Sequence, residues 1–156
     1  ITDSFPSFKA FAIAEIDEIC GPKFDESLHL TVRGFESSVF LNDGKGNFEM
    51  RPLPVEAQFS PTLDMHIEDL NKDGHLDLML VGNMYNTEVE TVRYDAGRGA
   101  VLMGDGKGNF ESIPPHESGF FAWDNCKSIE KITVKGKELY LVGVNNGNMM
   151  VFEKTK

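Results

Sequence analysis

Basic residues are scarce in this chain. Fifteen Lys and Arg stand against 25 Asp and Glu, for a formal net charge of -10 and a pI of about 4.8. A nucleic-acid binder needs a basic stripe that displaces counterions, and none is found, so nucleic acid is excluded as a partner. The same charge disfavours an anionic membrane surface. Calcium, other hard cations and neutral ligands remain as partners.

Long apolar runs are missing too. Nothing approaches the roughly 18 residues of a membrane span, so no membrane insertion is expected. The opening stretch ITDSFPSFKAFAIAEIDEIC lacks a basic segment and carries acids where a signal peptide is apolar. The chain begins at Ile1 and reads as a piece of a longer protein, so its lack of targeting signals says little about the parent. Only two cysteines are present, Cys20 and Cys126. Neither lies in a CxxC or beside a Cys/His cluster, which argues against zinc. Two free thiols and one disulfide both stay open.

Catalytic motifs are also lacking. The four histidines are His29, His66, His75 and His116, with no HExxH among them. HESGF lacks the first Gly of a nucleophile elbow, and neither a P-loop nor a dinucleotide fingerprint occurs. Glu88 and Glu90 read as a solvated face rather than an acid/base pair. No catalysis is expected of this chain.

What is present is a repeat. VFLNDGKGNFEM at 39–50 returns as VLMGDGKGNFES at 101–112, 62 residues on, with eight of twelve positions identical. A fixed period of this size marks a repeat architecture. Asp-Gly between apolar runs signals a hairpin turn, because Gly adopts positive φ without steric cost. The same offset brings LDLMLVGN, ending at Asn83, onto ELYLVGVN, ending at Asn145. Residues 64–70, 76–82, 99–104, 129–135, 138–144 and 148–153 have strand length and composition. Residues 7–19 differ: Phe8, Ala12, Ile16 and Ile19 recur at helical spacing after a capping Ser7, which predicts one helix packed against the first β unit. The fold expected is all-β: about two four-stranded propeller blades at 21–156, an incomplete ring, after a helical lead-in at 1–20.

DLNKDGHLD at 69–77 is the chemical motif. Asp69, Asn71, Asp73 and Asp77 supply side-chain oxygens at loop positions 1, 3, 5 and 9. His75 supplies a backbone carbonyl at position 7, its ring turned away, and Gly74 allows the bend. Hard oxygens, several carboxylates and a Gly at the bend suit calcium better than magnesium, which keeps its waters. An EF-hand would need Glu at position 12, where Leu80 stands, and helices instead of the strand LDLMLVG. The competing reading is a solvated acidic turn held by Asx hydrogen bonds. In the second copy, KITVKGKEL at 131–139, Gly136 survives but Lys131, Thr133 and Lys135 replace the oxygens, so no second metal is expected.

Outside the loop, the excursion NMYNTEVETVRYDAGRG at 83–99 offers Tyr85, Arg93, Tyr94 and Arg98 as a surface for a protein or glycan. Tyr94 and Asp95 bracing a turn is the alternative. Trp123, the single Trp, is expected in the core.

DLNKDGHLDLMLVGN and the paired NDGKGNF and GDGKGNF resemble FG-GAP/VCBS repeats, the blades of integrin-α-type propellers. FPSFKAFA, LPVEAQFSP and RYDAGRG resemble the C-terminal part of large secreted bacterial VCBS-repeat proteins of the ASPIC/UnbV type. The resemblance implies calcium on Asp69, Asn71, Asp73, the His75 carbonyl and Asp77. It also implies an extracytoplasmic location and a binding or scaffold role without a defined activity. The reading that follows is an extracellular adhesion or interaction module that packs on upstream blades or on itself. The alternative is an accessory segment of a secreted enzyme whose active site lies elsewhere in the parent chain.

Overall fold

The structure, a computed structural model, describes residues 5–155. The chain divides into two compact units, residues 1–35 and 36–156. Among the described residues, nine strands form three antiparallel sheets in the second unit, so the chain is mostly β with few helices, and no sheet there closes on itself.

The first unit departs from the single helix expected over 7–19. Two five-residue helices form instead, α1 (Phe8–Ala12) and α2 (Ile16–Cys20). Ser7 caps α1 by accepting the Ala10 N–H at 3.1 Å. The break has a local cause at Glu15, whose backbone is extended (φ -74°, ψ 160°) and which starts a new helix through a capping box with Glu18. Neither helix has a buried residue, so the apolar stripe is not the core it was expected to be.

In the second unit, β1 (Ser38–Asn42) and β2 (Phe48–Pro52) make sheet 1. Sheet 2 runs β3 (Thr62–Glu68), β4 (Asp77–Gly82), β5 (Ala100–Gly104) and β6 (Phe110–Ile113) in chain order. After a single turn of helix, α3 (Pro115–Ser118), sheet 3 follows as β7 (Cys126–Val134), β8 (Lys137–Val144) and β9 (Met150–Glu153).

The two DGKGN stretches turn identically. In each, one Asp oxygen accepts two backbone amides: Lys45 and Asn47 for Asp43, at 2.7 and 3.1 Å, and Lys107 and Asn109 for Asp105, at the same distances. The Asn side chain donates to the other oxygen, at 2.7 Å in the first turn and 2.6 Å in the second. Both glycines of each turn have positive φ, between 69° and 92°, which side chains with a Cβ adopt at a cost. All these bonds lie within five residues, so the two turns take the same form from local chemistry alone.

Sheet 2 is covered on both faces, and its strand β4 is buried from Asp77 to Val81. A strand covered on both sides carries an unbroken apolar run rather than an alternation, as LMLV does here. Met79, Val81 and Val101 face sheet 3, against Ile129, Tyr140, Val142, Phe120 and Ala122. Leu78, Leu80, Ala100 and Leu102 face the opposite side, with Ala57 and Leu53. Full burial of side chains such as Leu102 and Val81 is worth about 1.5–3 kcal/mol each. Sheet 1 is tied to the β5–β6 turn by Arg51, whose Nη1 donates to the Lys107 carbonyl at 2.6 Å.

Two further expectations are corrected or resolved. Trp123 is 52% exposed, not core; Phe120 and Ala122 on either side of Phe121 take the inward places. Both cysteines are free thiols, Cys20 exposed and Cys126 buried.

Candidate metal centre

The loop 69–77 joins β3 to β4, strand to strand. Its bend uses Lys72 (φ 65°) and Gly74 (φ 91°) in left-handed conformations. This bend aims three consecutive amides at the acidic side chains. Asp73 N–H donates to Asp69 Oδ1 at 3.1 Å and to Asn71 Oδ1 at 3.0 Å. Gly74 N–H donates to Asp69 Oδ2 at 2.9 Å, and His75 N–H to Asp73 Oδ1 at 2.8 Å. Asn71 Nδ2 donates to Asp73 Oδ2 at 2.8 Å, and this bond, followed by the His75 amide, holds the Asp73 carboxyl below the usual carboxylate range.

Asp69, Asn71 and Asp73 are therefore brought together around one set of amides. Each oxygen named spends one lone pair and keeps another. Asp77 is used differently. It is 0% exposed, and its two oxygens accept Leu70 N–H at 2.8 Å and Gly104 N–H at 2.9 Å. It thus fastens the loop to β5. The His75 ring lies against Gly106 of the β5–β6 turn.

The donor set is all hard oxygen, with no sulfur and no committed imidazole, which fits calcium rather than zinc. Among the described residues, no three Asp, Glu, His or Cys side chains stand close enough together to hold a metal ion as placed. A buried carboxylate normally needs charge compensation. Asp77 has two amides and, among the described residues, no ion-paired cation.

The 131–139 copy is a different object. Lys131 lies within β7, and the bend shrinks to Lys135 (φ 51°) and Gly136 (φ 81°) between β7 and β8. Two successive positive φ values are those of a tight type I′ hairpin.

Sequence reasoning missed a polar cluster that begins one residue before the loop. Glu68 accepts Lys131 Nζ at 2.7 Å and Tyr140 OH at 3.0 Å, and lies 3.1 Å from His66 Nε2. Lys131 also pairs with Glu138 at 2.6 Å. Burial alone would raise the Glu68 carboxyl, but the bonds from Lys131, His66 and Tyr140 outweigh it and bring the value down to about 2. Burial, then the bond to Glu68, pushes the Tyr140 hydroxyl up. The one available signal was Lys131 itself: the residue standing in place of the first loop acid is the cation that pairs with the acid beside that loop.

The 83–99 excursion gathers three of its four predicted residues on one stem. Met84 and Tyr94 exchange backbone hydrogen bonds at 2.8 Å. The Arg93 guanidinium lies 4.7 Å from the Tyr85 ring centre and pairs with Asp95 at 2.6 Å. Burial, followed by Asp124, raises the Tyr85 hydroxyl. Arg98 instead covers Phe121, at 5.5 Å. Glu88 and Glu90 are exposed on the excursion. The residue that pins the segment is Asn83, fully buried at φ 82°. Its Nδ2 donates to the carbonyls of Gly97, Trp123 and Asp124 at 3.0–3.2 Å, and its Oδ1 accepts Gly97 N–H at 2.9 Å.

No family model, curated protein or solved structure matches this chain.

Proposed function

We propose that this chain is a non-catalytic, calcium-binding β module of the FG-GAP/VCBS type, acting outside the cytoplasm as an adhesion or interaction module. The observation that carries the proposal is the loop between β3 and β4, where amides 73–75 orient the oxygens of Asp69, Asn71 and Asp73 around one bend. Asp69, Asn71, Asp73, the His75 carbonyl and Asp77 would hold the ion. A bound calcium supplies the positive charge that offsets these carboxylates. The chain's own amides orient the oxygens, and Asp77 ties the loop to β5, so the role is structural. The blade reading draws support from two successive antiparallel sheets, of four and three strands. Tyr85, Arg93 and Tyr94, exposed or half-buried on their stem, are the surface offered to a protein or glycan. Phe40, Phe48 and Met50, exposed on one face of sheet 1, are the face offered to upstream blades or to a second copy.

Calcium titration by calorimetry, paired with melts in EGTA and in calcium, tests the proposal. Sites in extracellular modules bind with dissociation constants of about 10⁻⁴–10⁻³ M. A few millimolar calcium then stabilises the fold by roughly 1–2 kcal/mol, a rise of about 2–8 °C in Tm. Asp73→Ala should abolish both the heat and the rise. Identical wild-type melts in the two buffers, with no heat of binding, refute the calcium site.

A further inference from the structure

Sheets 2 and 3 do not match in strand number. Sheet 2 continues past β5 to β6, whereas sheet 3 ends at β9 among the described residues. Between the edge strands β6 and β9 the core opens into a cleft of about 570 Å³. Small-molecule sites typically run from about 300 to 1,000 Å³ and are mostly apolar, with a few placed polar groups. The walls here are mostly apolar: Val101, Met103 and Ile113 on the side of sheet 2, Phe120 and Phe152 on the other, with Asn71, Ser118 and Thr155 among the polar groups.

One charged group at the cleft is left under-used. Lys154 lines it with a side chain only 14% exposed. The two nearby carboxylates are already taken at short range by Lys131, at 2.7 Å from Glu68 and 2.6 Å from Glu138. Lys154 reaches the same two carboxylates only at 3.5 and 4.0 Å. Glu153, also on the cleft wall, is held by Lys137 at 2.8 Å. Lys154 is thus a largely buried ammonium with three donors and, among the described residues, no ion pair shorter than 3.5 Å. A cation with donors to spare at the end of an apolar cleft complements a ligand with one anionic head and one apolar tail.

We infer that this cleft is a binding site for a small amphipathic carboxylate, its alkyl chain between Val101, Ile113 and Phe152 and its carboxylate on Lys154. The inference does not require calcium, although Asn71 of the calcium loop also lines the cleft, and all titrations are therefore run in EGTA. Decanoate and decanol are the probes, titrated calorimetrically below micelle-forming concentration into the 156-residue chain. Decanoate should bind once per chain and more tightly than decanol. Lys154→Gln should weaken decanoate about tenfold or more, the value of a lost charged hydrogen bond, and leave decanol unchanged. Ile113→Trp, which fills the cleft, should remove both, with Tm checked to show that the variant folds. The inference is overturned if decanoate fails to bind, if Lys154→Gln binds it as tightly as wild type, or if Ile113→Trp folds and still binds it. Saturable binding of a peptide with an apolar C-terminus but not of decanoate overturns it as well, in favour of a peptide groove.

Discussion

Replacing Glu68 by Gln removes one charge and nothing else in size, and the structure sets what that should cost. The carboxylate takes three bonds, from Lys131, Tyr140 and His66. Hydrogen bonds to charged groups contribute about 1.5–3 kcal/mol against about 0.5–1.5 for neutral ones. The amide would keep an acceptor for one of the three partners but present an NH2 group where only an acceptor is wanted. Lys131 would retain Glu138 at 2.6 Å, which spares the full penalty of an orphaned buried charge. The expected loss is therefore about 2–3 kcal/mol, a fall of about 4–12 °C in Tm for a domain of this size. Urea and thermal melts at neutral pH, all in EGTA so that the neighbouring loop contributes equally, measure it. Tyr140→Phe alone should cost about 1 kcal/mol, because Glu68 keeps its other two partners. In the double variant this cost should largely vanish, giving a coupling of about 1 kcal/mol. Additive costs, or a Glu68→Gln variant within 0.5 kcal/mol of wild type by this reckoning, would refute the view that this cluster joins sheets 2 and 3.

Leu102→Ala empties a fully buried position on β5 and should cost about 2–5 kcal/mol in urea melts. Asn83→Ala should cost about 2–4 kcal/mol, since three part-buried carbonyls and one amide lose their partner and the backbone must still hold φ 82°. Asp43 and Asp105 should titrate below ordinary aspartates by NMR. For Asp105, whose bond from Asn109 is the largest cause, the value is about 2. Because the folded value is depressed, the stabilisation this carboxyl gives is present above pH 4 or so and fades as pH falls towards 2; Asn109→Ala should raise the Asp105 value and shrink that window.

Much of the strand pattern was legible because its causes are local. The DGKGN turns form bonds only among Asp43 to Asn47 and Asp105 to Asn109, so five letters specify them. LMLV on β4 was legible as a strand from its length and composition, and its burial on both faces emerged only with the sheets that cover it. The loop was legible as a set of oxygens but not as an arrangement, since commitment of Asp77 to Gly104 N–H depends on where β5 lies. The helix over 7–19 failed because Glu15 is a better cap than helix interior, a choice that apolar spacing does not report. Trp123 was expected in the core, but the inward positions of its apolar segment went to Phe120 and Ala122. The Glu68 cluster left only Lys131 as a signal, and the cleft left none, because the cluster's members come from β3, β7 and β8 and the cleft's from β4, β5, β6, β8, β9 and the residue after it.

Chain order gives the Glu68 cluster a consequence during synthesis. Glu68 and His66 leave the ribosome well before Lys131 and Tyr140, which stand 63 and 72 residues further along. Until β7 and β8 arrive, sheet 2 can pair its own strands but has nothing to set against Glu68, and Met79, Val81 and Val101 lie bare on the same side. A nascent chain halted before Cys126 would display an acidic edge beside an apolar face, the kind of surface that chaperones and other nascent strands engage. Completion of the β7–β8 hairpin, itself quick to close around Lys135 and Gly136, covers both at once. The last third of the chain thus acts on the middle third as a lid delivered late, and premature termination there should yield aggregates rather than a smaller soluble domain.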